Sequence, residues 1–311
     1  VAEDYPDCLE IVERLVKPER TRVDADGNFV LRKPLPQRWW HYADKRPALY
    51  STIAPLKRVM VIAIGATKYP YFSLSKKEIV FSHALGVIAL DAKACHALLN
   101  SDFHVMWAWK NASTLESRMR YTPSDIFETF PFPPRLEPSS QGKSSSSFRL
   151  LDQLGERLHE GRRALMTMLG IGLTSLYNLY HDPDLSDESV VKTAKYSGEE
   201  ASRARKEIEG LRDLHVRIDE AVRDAYGWSD IALDHGFHEL EFLPENDRVR
   251  YTVSRAARGE ILKRLLELNH QRHEEEFAAG LVDKDGKKIK KKAGMKKKRT
   301  SAADQGQPLP F

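Results

Sequence analysis

A polar segment with two arginines is joined to a segment rich in phenylalanine and proline at residues 113–133, which read STLESRMRYTPSDIFETFPFP. Thr122-Pro123-Ser124-Asp125 has the composition of a capping box, with threonine at the N-cap, proline at the first helical position and a carboxylate three residues on. The predicted helix stops at Phe130-Pro131-Phe132-Pro133, because proline fixes φ and keeps the preceding residue extended. We expect a helical turn followed by a stiff ribbon that acts as a structural clasp.

Upstream of this stretch, the pattern predicts a small mixed sheet with helices. The apolar runs typical of strands are 59–64, 71–74, 79–81 and 87–90. A helix is expected within residues 1–20 and a turn at 24–28. A longer helix is predicted from Asp91, as N-cap, to about Asn111, since its apolar residues recur every three or four positions. These elements form a predicted target-recognition domain over residues 1–135.

Downstream of this stretch, the spacing of the apolar residues changes to the spacing typical of helices. Residues 136–147 are rich in serine and predict a flexible linker. Residues 148–280 predict a mostly helical domain, with a helix that ends at Gly227, a short strand over 248–253 and a helix capped by Ser254 that ends at Gly280. The lysine-rich residues 281–311 predict a disordered tail. The expected fold class is α+β.

Charge and composition narrow the functional classes. The chain has 311 residues and a net charge of +4. Residues 138–280 carry 20 Lys+Arg against 26 Asp+Glu, whereas 281–311 carry 10 against 3, so positive charge is concentrated outside the helical part. No run reaches the roughly 18 apolar residues that span a membrane, so we expect no membrane partner. Two distant cysteines, Cys8 and Cys95, make a disulfide framework improbable and favour a reducing, cytoplasmic compartment.

The candidate contacts are cationic and aromatic residues with the chemistry of nucleic-acid binding. Arginine pairs bidentately with guanine, lysine meets phosphates, and aromatic rings stack on bases. We predict double-stranded DNA as the partner, contacted by Arg118, Arg120, Tyr121, Lys57, Arg58, Lys68, Trp39 and Trp40. A purely structural role for these residues stays open. Paired tryptophans more often anchor a core, and lysines in loops usually lie on a solvated surface.

Motifs of catalysis are missing from the sequence. It contains no Gly-x-Gly-x-x-Gly, no Walker loop, no His-Glu-x-x-His and no Asn-Pro-Pro-Tyr. We therefore predict no catalytic, cofactor-binding or metal-binding residues in this chain. The nearest metal candidate is 234–239, where two imidazoles lie beside carboxylates but lack a second ligand pair. Residues 269–273 are expected to face solvent or a partner.

Several of these segments resemble a known family. Trp39-Trp40, the strands after Arg58, and the run from Tyr121 to Pro133 look like the target-recognition region of single-chain type II restriction-modification enzymes of the MmeI-like class and related adenine-specific DNA methyltransferases. The segments 225–230 and 265–270 resemble the helical C-terminal extension of the same enzymes. In that family a nuclease, a helical connector and a methyltransferase domain that binds S-adenosylmethionine precede this region.

The resemblance implies the DNA-reading part of a restriction-modification enzyme. Its catalytic domain and its S-adenosylmethionine site are expected on a separate or missing domain, and a methyltransferase domain or subunit is an expected partner. Two alternatives stay open: a scaffold that binds a protein partner through the acidic helical segment, and an independent DNA-modifying enzyme with unrecognised motifs.

Overall fold

The computed structural model describes residues 4–42, 44–115, 118–134, 136, 146–194, 198–283 and 286. The chain divides into two compact units, Val1–Lys57 and Arg58–Phe311. The linker predicted at 136–147 and the tail predicted at 281–311 lie largely outside the described residues. The domain boundaries drawn from composition therefore stay predictions. In the described part of the chain, no helix is long and apolar enough to cross a membrane.

The described residues of the first unit, 4–42 and 44–57, form three short helices and a hydrogen-bonded turn. The helices are α1 (Pro6–Leu15), α2 (Lys17–Arg20) and α3 (Pro47–Ile53). The turn predicted at 24–28 is confirmed: Oδ1 of Asp24 accepts the backbone N–H groups of Asp26 and Asn28 at 3.0 and 2.9 Å. Gly27 closes it with a φ of 81°, a conformation open to glycine.

The second unit combines small antiparallel sheets with helices, which confirms the α+β class. Its strands are β1 (Val59–Ala63), β2 (Ala66–Thr67), β3 (Ser73–Ser75), β4 (Leu85–Ile88), β5 (Ser113–Leu115), β6 (Arg118–Arg120), β7 (Gly236–Glu239) and β8 (Val249–Thr252). They pair in the orders β3-β1-β4, β2-β6-β5 and β7-β8. All of these strand pairs are antiparallel, which corrects the mixed sheet that the sequence predicts.

The helices of this unit surround one continuous hydrophobic core. They are α4 (Lys93–Leu99), α5 (Asp102–Asn111), α6 (Pro123–Ile126), α7 (Ser146–Leu169), α8 (Leu173–Tyr180), α9 (Asp187–Ala194), α10 (Gly198–Tyr226) and α11 (Arg255–Ala278). Helix α7 packs on α4 and α10, and α11 packs on α5. The predicted stop signals are confirmed at Gly227 and Gly280, with φ values of 79° and 66°. The predicted cap is confirmed too, since Oγ of Ser254 accepts the N–H of Ala257 at 3.2 Å.

The helix predicted over 91–111 is instead two helices. Helix α4 begins after Ala92, not at a capping Asp91. It ends at Leu99, and the side chains of the next two residues, Asn100 and Ser101, donate to the carbonyls of His96 at 2.7 Å and Leu98 at 2.6 Å. Such local bonds compete with helix continuation. Helix α5 therefore begins separately at Asp102.

Two further predictions are corrected. Residues 79–81 form no strand, and Ile79 and Val80 are exposed. They lie in the connection that carries the chain from β3 to β4, which flank β1 on its two sides. Thr122 does precede α6, but its side chain makes no capping hydrogen bond.

The proline ribbon after α6 is buried as a clasp. Phe130 and Phe132 are buried, and backbone carbonyls of the ribbon accept side-chain donors from two long helices. The hydroxyl of Tyr226 donates to Pro131 at 2.7 Å and the guanidinium of Arg272 to Phe132 at 2.6 Å. Asn269 donates to the carbonyl of Thr129 at 2.7 Å. Asn269 and Arg272, expected on a solvated or partner-facing surface, therefore bind this ribbon instead.

Candidate nucleic-acid interface

Two predicted contact residues lie on one strand face. Ser113–Leu115 form β5 and Arg118–Arg120 form β6, which is the central strand of its sheet. Arg118 and Arg120 are exposed, whereas Met119 between them is buried. Because side chains alternate along a strand, both arginines point to the same side, about 6.6–6.8 Å apart along the backbone. The register places the small residues Ser113 and Ala66 opposite Arg120.

Among the residues that the structure describes, neither Arg118 nor Arg120 forms an ion pair with a carboxylate or a side-chain hydrogen bond. Two exposed guanidiniums on a strand backed by a packed core can donate fork-like pairs of hydrogen bonds to an incoming acceptor. This pair forms the best-defined candidate surface for a polyanion.

Tyr121 lies beneath this surface and not on it. Its side chain is fully buried, with the hydroxyl 3.0 Å from Nε2 of His104 on α5. Phe130 of the clasp packs edge-on against the same imidazole, with ring centroids 5.0 Å apart. Burial removes Tyr121 from the accessible surface, which contradicts a direct DNA contact by this side chain. Its role is to join β6, α5 and the clasp.

Lys68 belongs to the wall of a polar cavity of about 610 Å³. Its ammonium pairs with Asp247 at 2.9 Å and donates to Asn178 at 2.9 Å. Arg250 pairs with the same carboxylate at 2.8 Å. Burial alone would raise the pKa of Asp247, but the bonds from Arg250 and Lys68 hold that pKa below its ordinary value. Lys68 is thus already neutralised, and a phosphate contact would have to displace Asp247.

The other predicted residues lie apart in the chain. Lys57 is exposed at the end of the first unit, and Arg58 is half-buried just before β1. In the first unit, Trp39 and Trp40 pack edge-on with ring centroids 5.5 Å apart. The ammonium of Lys17 lies 5.1 Å from the ring centroid of Trp39, so one face of that ring is occupied. Trp40 is 42% exposed and stays a predicted base-stacking residue.

The predicted metal candidate at 234–239 is split by the fold. His235 binds Asp219 of α10 through Nε2 at 2.9 Å, while Nε2 of His238 binds the carbonyl of Asp234 at 2.9 Å. The two imidazoles therefore do not converge. The structure instead groups His235 with Asp219 and Asp102, whose ligand atoms lie within 4.8 Å of one another. The sequence motifs do not reveal this trio, because its members are far apart in the sequence.

Hydrogen bonds within the trio give it a structural role. Oδ1 of Asp219 accepts the N–H of Asp102 at 2.8 Å, and Oδ2 of Asp102 accepts the hydroxyl of Thr252 at 2.6 Å and the N–H of Val253 at 3.0 Å. Burial raises the pKa of Asp219, with the charge of Asp102 adding to it. Burial alone would lower the pKa of His235, but the hydrogen bond to Asp219 together with the charges of Asp219, Asp102 and Glu220 raises that pKa. The trio joins α5, α10 and β8.

Buried neutral histidines make stability sensitive to acid. Burial lowers the pKa of His104 and of His215 to about 3, and it lowers the pKa of His96 and His181 as well. Between that range and the ordinary value of about 6.5, the unfolded chain binds protons that the folded chain does not. Stability is therefore highest above pH 6.5 and is lost as pH falls. Asp219 and His235, whose pKa values are both raised, act in the opposite sense, but these two groups oppose the four buried imidazoles whose pKa values are lowered.

We expect the free energy of unfolding in urea to fall as pH is lowered from 7 to 5, by up to about 1.4 kcal/mol per pH unit for each such histidine. His104→Gln should reduce the slope of stability against pH. His83→Gln, at an exposed histidine, should leave the slope unchanged. A free energy that stays level between pH 7 and 5 would contradict the assignment of neutral buried imidazoles.

Comparisons with known proteins give one weak structural neighbour. No protein-family model matches the sequence, and no curated protein matches it. A solved structure described as the type IIL restriction-modification enzyme MmeI in complex with DNA matches at 15% identity and a TM-score of 0.43. The match covers 85% of this chain and 26% of that one, so the chain spans about a quarter of the length of its neighbour. A likeness at this level assigns neither a family nor a function to the chain.

Proposed function

We propose that this chain reads the sequence of duplex DNA, as the target-recognition part of a restriction-modification type adenine-specific DNA methyltransferase. The methyl-transfer chemistry and the S-adenosylmethionine site are assigned to a domain or subunit outside this sequence. The observation that carries the proposal is the pair of exposed arginines on the central strand of the β2-β6-β5 sheet. The sequence resemblance of residues 121–133 supports the same role.

The spacing of the two arginines suits base readout. Alternate residues on a strand are about 6.6–6.8 Å apart, and base pairs stack about 3.4 Å apart, so Arg118 and Arg120 match two base-pair steps. Strands lie in DNA grooves in several known readers, and guanine O6 and N7 accept a bidentate pair from arginine. The buried Met119 and Tyr121 hold β6 against the core, which fixes the backbone from which both arginine side chains extend.

Cations away from the sheet are assigned to the phosphate backbone. Lys57 and Arg58 fit this role by charge, and such contacts set register without reading bases. Lys68 contributes less to binding the phosphate backbone, because its charge is already paired with Asp247. The separate roles predict separate effects: an arginine that reads a base changes preference, whereas a phosphate contact changes affinity for all sequences alike.

A selection from a pool of random duplexes tests the proposed function. The full chain should enrich a common motif, and that motif should persist when the selection is repeated at higher salt, because base-edge contacts are less salt-dependent than phosphate contacts. Failure to enrich any motif at either salt concentration would argue against sequence recognition by this chain. The pool should then be tested again with a methyltransferase partner that binds S-adenosylmethionine.

Removing residues 284–311 should flatten the salt dependence of DNA binding. This segment carries ten Lys+Arg against two Asp+Glu, and each phosphate that it neutralises adds about −0.9 to the slope of log affinity against log salt concentration. Affinity should therefore fall most at low salt, while the preferred motif stays the same. Fluorescence anisotropy at several salt concentrations measures the slope. A changed motif would show that the tail takes part in base reading.

A further inference from the structure

A second cavity, of about 360 Å³, lies between β3 and one face of α7. Its helical lining includes His159, Arg162, Arg163 and Thr167. The last three follow His159 by three, four and eight positions, which places them on one side of the helix. Ser73 of β3 lies opposite. None of the described residues that line this cavity is acidic. The cavity thus offers cationic, imidazole and hydroxyl donors without a carboxylate.

Arg162 carries a buried charge with neutral partners only. Its side chain is 3% exposed, and it donates to the carbonyl of Phe72, to Oδ1 of Asn100 at 3.2 Å and to the hydroxyl of Tyr177 at 3.5 Å. In the part of the chain that the structure describes, no carboxylate is paired with this guanidinium. A buried charge without an opposite charge is costly, so an anion in the adjoining cavity would stabilise it.

His159 is surrounded by positive charge. Burial lowers its pKa, and the charges of Arg162, Arg58 and Arg163 lower it further, while only the neighbouring Glu160 acts to raise it. The imidazole of His96 lies edge-on, with ring centroids 6.1 Å apart. Among the described residues, neither Arg58 nor Arg163 forms an ion pair. The charges of three guanidiniums therefore act on this imidazole, with the carboxylate of Glu160 acting against them.

We propose that this cavity binds a phosphate group. A phosphate carries up to two negative charges and several acceptor oxygens, which match the forked donors of Arg162 and Arg163, the imidazole of His159 and the hydroxyls of Ser73 and Thr167. The phosphate comes either from a nucleic-acid backbone or from a free phosphate compound. The site is separate from the β6 arginines, and its existence does not depend on sequence recognition by them.

Histidine-ring NMR on the full chain, with inorganic phosphate as the probe, tests the site. The signal of His159 is identified by its loss in His159→Gln. A bound phosphate should raise the pKa of His159 in a saturable way, because a negative charge nearby favours the imidazolium. Arg163→Gln should abolish this response. Arg157→Gln, which removes another exposed arginine of α7 outside the cavity, should retain it. An unchanged His159 titration, or an equal response in both variants, overturns the proposal.

A second part of the same NMR experiment identifies the source of the phosphate. Duplex DNA replaces inorganic phosphate in the same titration. If the duplex raises the pKa of His159 and inorganic phosphate competes with it, the site takes a backbone phosphate. If inorganic phosphate acts and the duplex does not, the site takes a free phosphate compound, and this result stands even if the chain fails to select a DNA motif. If neither acts, the cavity is not a phosphate site.

Discussion

Replacing Gly155 with alanine should destabilise the protein by about 2 kcal/mol or more, although alanine is the better helix former. Gly155 lies on α7 where the start of α4 crosses it, and an added Cβ would lie 2.0 Å from the carbonyl oxygen and 2.7 Å from the carbonyl carbon of Lys93. These are backbone atoms of a docked helix, so they cannot swing aside. Overpacking typically costs about 1–3 kcal/mol and occasionally more. A contact this short with backbone atoms lies at or above the upper end of that range, so about 2 kcal/mol or more remains after the propensity gain of about 1 kcal/mol.

Gly161 on the same helix is the matched control. It is exposed, and a Cβ added there would meet nothing within 4 Å. Gly161→Ala should therefore stabilise the protein by about 0.5–1 kcal/mol. Urea unfolding of both variants measures the difference. If Gly155→Ala is as stable as Gly161→Ala, α4 does not pack on α7 as described. The packing of α4 and α5 in the core beneath β6 would then be wrong as well.

Local signals in the sequence predicted the ends of the long helices well. Ser254, Gly227 and Gly280 act through bonds and φ values that depend on their own residue type, so a single sequence reveals them. The clasp at Phe130 and Phe132 could also be predicted from the sequence, because proline restricts its immediate neighbours. The pairing of β5 with β6 could not be predicted, because strands of three residues are too short to show an alternating pattern.

Contacts between distant segments account for the other differences. Tyr121 has the chemistry of a DNA contact, and only the position of His104 on α5 shows that its hydroxyl is bound inside the core. In the sequence nothing indicates an ion pair for Lys68, and only the fold places Asp247 beside its ammonium group. Arg162 lies in a helix among other charged residues, and its burial against Asn100 depends on the break between α4 and α5. These placements follow from tertiary packing, which a local pattern does not encode.

Replacing Arg118 and Arg120 together with alanine should abolish preference for the selected motif while leaving nonspecific binding. Each arginine that reads a base contributes about 1–3 kcal/mol of discrimination, or about tenfold for every 1.4 kcal/mol, so the pair accounts for at least a tenfold preference. Both side chains are exposed and without a described ion pair, so their removal should not alter folding. Arg203→Ala, at an exposed arginine of α10, is the charge-matched control for one substitution.

The single variants separate the two guanidiniums. Arg118→Ala and Arg120→Ala should each relax selection at different positions of the motif, about two base pairs apart, because the two side chains are one strand repeat apart. Arg58→Ala should instead weaken binding to all duplexes by a similar factor. A variant of Arg58 that changed the motif would move base reading away from β6.

The most direct test is the affinity of the parent chain and of the Arg118→Ala/Arg120→Ala variant for the selected duplex and for a scrambled duplex of the same composition, at one salt concentration. We predict that the parent binds the selected duplex at least about tenfold more tightly than the scrambled one, and that the variant binds both alike at the level of the parent on scrambled DNA. A variant that discriminates between the two duplexes as strongly as the parent would contradict recognition by the β6 arginines.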